Sequence, residues 1–283
     1  MLGFFPLFYK KQYVNMGDGK YNVFLISSMF CLGCVLCLVI VKYLFNLTKD
    51  FSKLFSTPNY TLTLLDMLVL VYFIVVIISF LLSSFKKEAL FGAEGWSMGL
   101  IAQMIFLFSY FMISRCFRFK KIVLYVLFVS TTIVFILGIL HRFYIDPLSM
   151  YIGLSETQKL QFLSTIGQSS WYSSFVCTVF PIGLYIFYNT TSKKTRIWSG
   201  IYSALGFMTL VTQNSDSAYL ALIAIIFILF YISFDGADQQ KRFIEVILLM
   251  LFSFKLMGLF QVIFKNHTIT LDRLSIEMKM SHK

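Results

Sequence analysis

Few residues in this chain are equipped for chemistry, and most of them sit where apolar runs end. Arg142, preceded by His141, closes one such run. A guanidinium there offers a planar fork of donors that matches two oxygens of a diphosphate. The same position suits an interfacial anchor whose head reaches the lipid headgroups, and the sequence leaves both readings open. For His141 an anchor or cap role fits better. Asp216, flanked by Ser215 and Ser217, precedes another apolar run. Oxygen-bearing side chains at a helix start cap free N–H groups, and an acid there complements the helix dipole. The alternative for this trio is a polar floor for a sugar or a diphosphate. Trp171, Tyr172, Phe143, Tyr144 and Tyr151 cluster in sequence around one connector. They read as an aromatic belt at a membrane interface, or as surfaces for stacking on a sugar ring. Asp66 lies about a turn inside an apolar run and reads as a helix-start stabiliser. Pro181 falls mid-run and predicts a kink.

The motifs of soluble catalysis are missing. There is no glycine-rich phosphate loop, no HExxH, no GxSxG and no acid pair on a soluble loop. Cys31, Cys34 and Cys37 share a helix face inside an apolar run, where thiolate ligands have no polar surroundings to support a metal. Cys116 and Cys177 stand alone. Neither a metal nor a cofactor is implied. The Asn-x-Thr triplets at Asn46, Asn59, Asn189 and Asn266 carry no meaning without a compartment that glycosylates them.

Composition fixes the class. Of 283 residues 58% are hydrophobic, 18% aromatic and 13% charged, against about 25% charged in soluble domains. The net charge of +11 comes from short basic clusters between apolar runs, as in the cytoplasmic loops of membrane proteins. No basic face for nucleic acid exists. Runs of about 20 apolar residues cross a bilayer, and eight are expected, at 22–41, 62–80, 97–113, 122–143, 171–188, 197–211, 218–234 and 243–264. The expected architecture is therefore an all-α, polytopic transmembrane helical bundle, a single domain over 1–283.

Lysine and arginine set its orientation. Arg115, Arg118, Lys120 and Lys121 form one acid-free connector, and Lys193, Lys194 and Arg196 another, so both belong inside. The connector 142–170 and the polar link 212–217 then lie outside, and 155–161 is expected to form a short interfacial helix. The amino-terminal segment also falls outside despite Lys10, Lys11 and Lys20, which a preceding helix would explain. With a chain that ends soon after its eighth run, this reads as a truncated protein.

Three stretches carry a resemblance. Asp66 is followed by Ser79, Ser83 and Ser84 and then by the glycine-punctuated stretch 90–100 with Gly92, Gly95 and Gly99. Gly167-Gln168-Ser169-Ser170-Trp171 leads to Pro181. Asn214-Ser215-Asp216-Ser217 enters a late helix. With Phe5-Pro6-Leu7-Phe8-Tyr9 and Gly19-Lys20-Tyr21, their order resembles the O-antigen ligase and polymerase family in its Gram-positive form. Gln168 and Ser170 stand where that family prefers asparagines, and Asp216 where many relatives place an arginine. Family members also carry more helices and a large outside loop with an essential histidine, a role not transferred to His267. The resemblance implies a protein of the bacterial cytoplasmic membrane that moves a glycan from an undecaprenyl-diphosphate carrier to an acceptor on the outer face, without metal or nucleotide sugar. Its candidate diphosphate- and glycan-binding residues are Arg142, Gln168, Trp171, Ser215 and Asp216. A lipid-carrier or polysaccharide transporter and a non-catalytic assembly module are the competing readings.

Overall fold

A computed structural model of the chain describes residues 3–10, 13, 16–45, 62–93, 95, 97–116, 119–213, 215–234 and 236–263. The described chain is mostly helical and divides into two compact units, one of residues 14–124 with Met1, the other of 2–13 with 125–283.

The first unit holds α1 (Met16–Phe45), α2 (Leu64–Leu82), α3 (Lys86–Phe91) and α4 (Leu100–Cys116). Thr63 opens α2 with a capping box: Asp66 N–H donates to Thr63 Oγ1, and Thr63 N–H donates to Asp66 Oδ2 (2.7 Å). Asp66 thus stabilises the helix start, as its position implied, and it does more. Buried, it accepts from Tyr110 Oη (2.9 Å) and Arg115 Nη2 (2.5 Å) on α4. One carboxylate ties the start of α2 to the end of α4. At the other end of these helices Lys86 Nζ donates to the Phe80 and Leu81 carbonyls, satisfying acceptors the helix end leaves open. The glycines of 90–100 have a packing reason. Gly92 adopts φ 94°, and a Cβ on Gly99 would lie 2.4 Å from the Gly92 nitrogen. The backbone touches itself there, which only glycine allows.

α5 (Lys121–Arg142) runs into the second unit, followed by α6 (Glu156–Gln161), β1 (Phe162–Leu163), β2 (Gly167–Gln168), α7 (Ser169–Asn189), α8 (Lys193–Gln213), α9 (Asp216–Ser233) and α10 (Ala237–Ile263). The core gathers Phe135 of α5, Tyr172, Val176, Phe180 and Leu184 of α7, Tyr202 and Leu210 of α8, and Val246 of α10. Helices approach closely through glycines. Gly138 faces Tyr172, Gly183 faces Tyr202 and Gly206 faces Phe180. Hydroxyls cross-link them: Thr131 Oγ1 donates to Tyr202 Oη, which donates to the Val179 carbonyl (3.2 Å). Small residues and interhelical hydroxyl bonds of this kind hold helices together where lipid supplies no hydrophobic drive. Pro181 lies within α7, which remains one helix from Ser169 to Asn189.

Each of the eight expected runs falls on a helix, but they are not equivalent. Among the described residues, five helices are long and apolar enough to cross a membrane: Met16–Cys37, Leu64–Leu82, Lys121–Arg142, Ser169–Asn189 and Ala237–Phe260. Leu100–Arg115 and Ala218–Ser233 are apolar but shorter. α8 is long enough, yet its first turn carries lysines and its buried residues include Ser199, Gly200, Ser203, Gly206, Thr209 and Thr212 beside Tyr202, Phe207, Met208 and Leu210. Length and composition thus mark five candidate spans among the described residues and do not show the count of eight.

Candidate functional site

The connector expected at 142–170 holds a short helix and a hairpin. Ser155 caps α6 with a capping box onto Gln158, giving the short helix expected there. β1 and β2 then pair antiparallel, Phe162 opposite Gln168 and Leu163 opposite Gly167. Gly167 takes φ 110° to close the turn. The turn itself is buried: Leu163, Ser164 and Thr165 are each at most 2% exposed. Ser164 Oγ donates to the Val134 carbonyl (2.8 Å), and so does Tyr172 Oη (2.9 Å). At 1.5 Å per residue, Val134 lies about 12 Å below the end of α5 at Arg142. The hairpin therefore re-enters the bundle by two helical turns. Irregular backbone at such depth needs protein partners for its polar groups, and here it has them.

His141 supplies one. Ser164 N–H donates to His141 Nδ1 (3.0 Å), which leaves the ring proton on Nε2, facing Asp146 Oδ1 at 3.5 Å. Asp146 Oδ2 accepts from Tyr151 N–H (2.6 Å). Tyr13, from the amino-terminal segment, donates its hydroxyl to the Ser164 carbonyl (2.6 Å), and Thr165 Oγ1 donates to the Pro6 carbonyl (2.6 Å). Burial raises the Tyr13 and Tyr151 phenols above their ordinary value, with the Asp146 charge adding to it, so both stay protonated donors. His141 thus positions the hairpin through Nδ1, while its buried Nε2 faces Asp146 without a hydrogen bond among the described residues.

Arg142, the next residue, is 5% exposed. Its charge acts on Tyr151 in the connector and on Tyr219 in the first turns of α9. Tyr219 Oη reaches back to the Val211 carbonyl (3.4 Å) in the last turn of α8. Two residues on stands Gln213, 1% exposed, in short contact with Ser173 Oγ of α7 through its Oε1 (2.5 Å). The Gln213 amide nitrogen is buried without a hydrogen-bond partner among the described residues. Leaving such a donor unmet costs about 1–3 kcal/mol. Ser173 and Tyr219 thus tie the starts of α7 and α9 to the last turn of α8, and the charge of Arg142 at the end of α5 acts on Tyr219.

Of the residues singled out in the sequence, Arg142 lies in this cluster. Asp216 sits at its rim, exposed in the first turn of α9, and its charge also acts on Tyr219. Ser215 occupies the N-cap position but its side chain makes no capping bond, so side-chain capping does not account for it. The Ser217 side chain, Asn214 and His267 lie outside the described residues. Gln168 is exposed at the end of the hairpin and Trp171, 40% exposed, is on the first turn of α7. Of the aromatic cluster, Phe143, Tyr151 and Tyr172 are buried and are packing residues, not stacking surfaces. Sequence reasoning gave no role of their own to Tyr13, Ser173, Tyr219 or Gln213, the last of which lay in the polar link 212–217. Only Gln213 left a signal, as a long polar side chain closing an apolar run. Cys31, Cys34 and Cys37 are exposed along α1, and no metal-binding group of side chains occurs among the described residues.

Comparison of the chain with protein-family models, with curated proteins and with solved structures finds no match.

Proposed function

We propose that this protein is a membrane glycosyl transferase of the ligase and polymerase type. It would move a glycan from an undecaprenyl-diphosphate carrier at the outer face of a bacterial cytoplasmic membrane, with all eight expected runs crossing the bilayer. The observation that carries this reading is Arg142, buried at the end of α5 with its charge acting on Tyr219 of α9, which Asp216 also acts on and which bonds to the last turn of α8 near the unmet Gln213 amide. In this role the Arg142 guanidinium neutralises the diphosphate as it leaves. Gln213 donates to one of its oxygens or to a sugar hydroxyl, and Asp216 and Trp171 border the glycan. His141 holds the hairpin through Nδ1 and is given no part in deprotonating the acceptor.

A transfer assay with purified protein and lipid-linked oligosaccharide tests the proposal. Arg142→Ala and the volume-keeping Arg142→Met should each lose about 10²–10³-fold in turnover, while Arg142→Lys retains part of it. Undiminished transfer in either removes the diphosphate role. The re-entrant hairpin favours a second reading, since broken elements beside polar bundle interiors also mark transporters. Exchange of the carrier across vesicles by the protein alone, without glycan transfer, would establish that instead.

A further inference from the structure

Five basic side chains belong to the end of the second unit opposite the Arg142 cluster, and the fold engages only two of them. Arg242 donates to the Tyr188 and Thr190 carbonyls at the end of α7. Arg196 pairs with Glu245 of α10 and lies over the Phe187 ring. Lys193 and Lys194, exposed in the first turn of α8, have no partner among the described residues. Asp238, in the first turn of α10, bonds to neither. Lys241 is exposed on α10. The helix dipole does not explain the two lysines, because cations are favoured at the opposite helix end.

The residues below them are informative. Ile197 and Trp198 follow the lysines at i+4, one turn on, and are 63% and 64% exposed; Ile201, a further turn on, is 47% exposed. The opposite face of α8, with Ser199, Gly200, Tyr202 and Ser203, is buried in the bundle. α8 therefore presents one outward stripe, with two unmet cations at its end, an exposed tryptophan a turn below, and isoleucines beyond. That order matches the strata of a bilayer leaflet: phosphate, interface, hydrocarbon. It occurs on the one long helix too polar to hold its place by apolarity alone.

We propose that Lys193 and Lys194, with the Ile197–Trp198–Ile201 stripe, form a binding surface for anionic phospholipid. The lysines hold the headgroup phosphate and the stripe carries the acyl chains. The partner is a lipid, since the cations and the exposed apolar residues share one face. Neutral headgroups satisfy the stripe but leave the cations without net countercharge.

Tryptophan quenching tests this. Trp198 is kept as the sole tryptophan by Trp96→Phe and Trp171→Phe, and the protein is reconstituted into mixtures of phosphatidylcholine and phosphatidylglycerol in which one or the other carries brominated chains. Brominated phosphatidylglycerol should quench Trp198 well beyond its share of the bilayer, by a relative affinity of about fivefold per lysine. The preference should vanish in Lys193→Gln/Lys194→Gln and persist in Lys193→Arg/Lys194→Arg, with circular dichroism matching across the set. It should also fade in high salt. Equal quenching by the two lipids in the parent, or a preference that survives the glutamine pair, overturns the proposal.

Discussion

Tyr13 precedes every apolar run, yet its hydroxyl reaches a carbonyl 151 residues away, at Ser164. Tyr13→Phe removes that donor and leaves a buried carbonyl unmet, for an expected loss of about 1–3 kcal/mol. The pH dependence has a definite sign. The folded-state phenol is raised above its ordinary value near 10, so the stabilisation is complete below about pH 10 and is lost as pH rises towards the folded value. Denaturant-induced unfolding in detergent should thus be flat from pH 6 to 9. The parent should weaken more than Tyr13→Phe above pH 10, and parallel curves would contradict the assignment. The sequence showed Arg142 and Asp216 because charged residues at the ends of apolar runs stand out locally. It could not show Tyr13 or Ser173, whose roles come from distant partners.

At the scale of elements, close helix approach makes a sharp contrast between glycines. A Cβ on Gly183 would fall 2.2 Å from the Tyr202 ring, whereas one on Gly258 would meet nothing within 4 Å. Gly183→Ala should destabilise by about 1–3 kcal/mol, and Gly258→Ala should be neutral or gain up to about 1 kcal/mol from helix propensity. Thermal unfolding followed by circular dichroism measures both, and equal effects would refute the packing described between α7 and α8. Element positions were legible because periodic apolar runs and local capping boxes, at Thr63–Asp66 and Ser155–Gln158, are written within a few residues of each other. The re-entrant hairpin was not. Its only local mark is Gly167, and its depth is set by bonds to Val134, His141 and Pro6. Likewise Asp66 announced a helix start, while its ties to Tyr110 and Arg115 span 44 and 49 residues.

For the whole molecule, the membrane class was plain from composition and the number of crossings was not. Two of the helices, Leu100–Arg115 and Ala218–Ser233, are short, and α8 buries serines, threonines and glycines among its core residues while Ile197, Trp198 and Ile201 are exposed. If all eight expected runs cross, Lys194 and Asp216 lie on opposite sides of the bilayer. In a cysteine-free background, Asp216→Cys should react with an impermeant thiol reagent applied outside, and Lys194→Cys only after permeabilisation. Labelling of both from one side would remove α8 from the spans.

The central claim is that Arg142 holds a lipid-linked diphosphate at the outer end of the second unit. Its most direct test is the binding of labelled undecaprenyl-diphosphate oligosaccharide to the protein in nanodiscs, compared among the parent, Arg142→Met and Arg142→Lys. The account predicts saturable binding by the parent, at least tenfold weaker binding by the methionine variant and an intermediate affinity for lysine, with unchanged circular dichroism. Equal binding by all three, or no saturable binding by the parent, would contradict it.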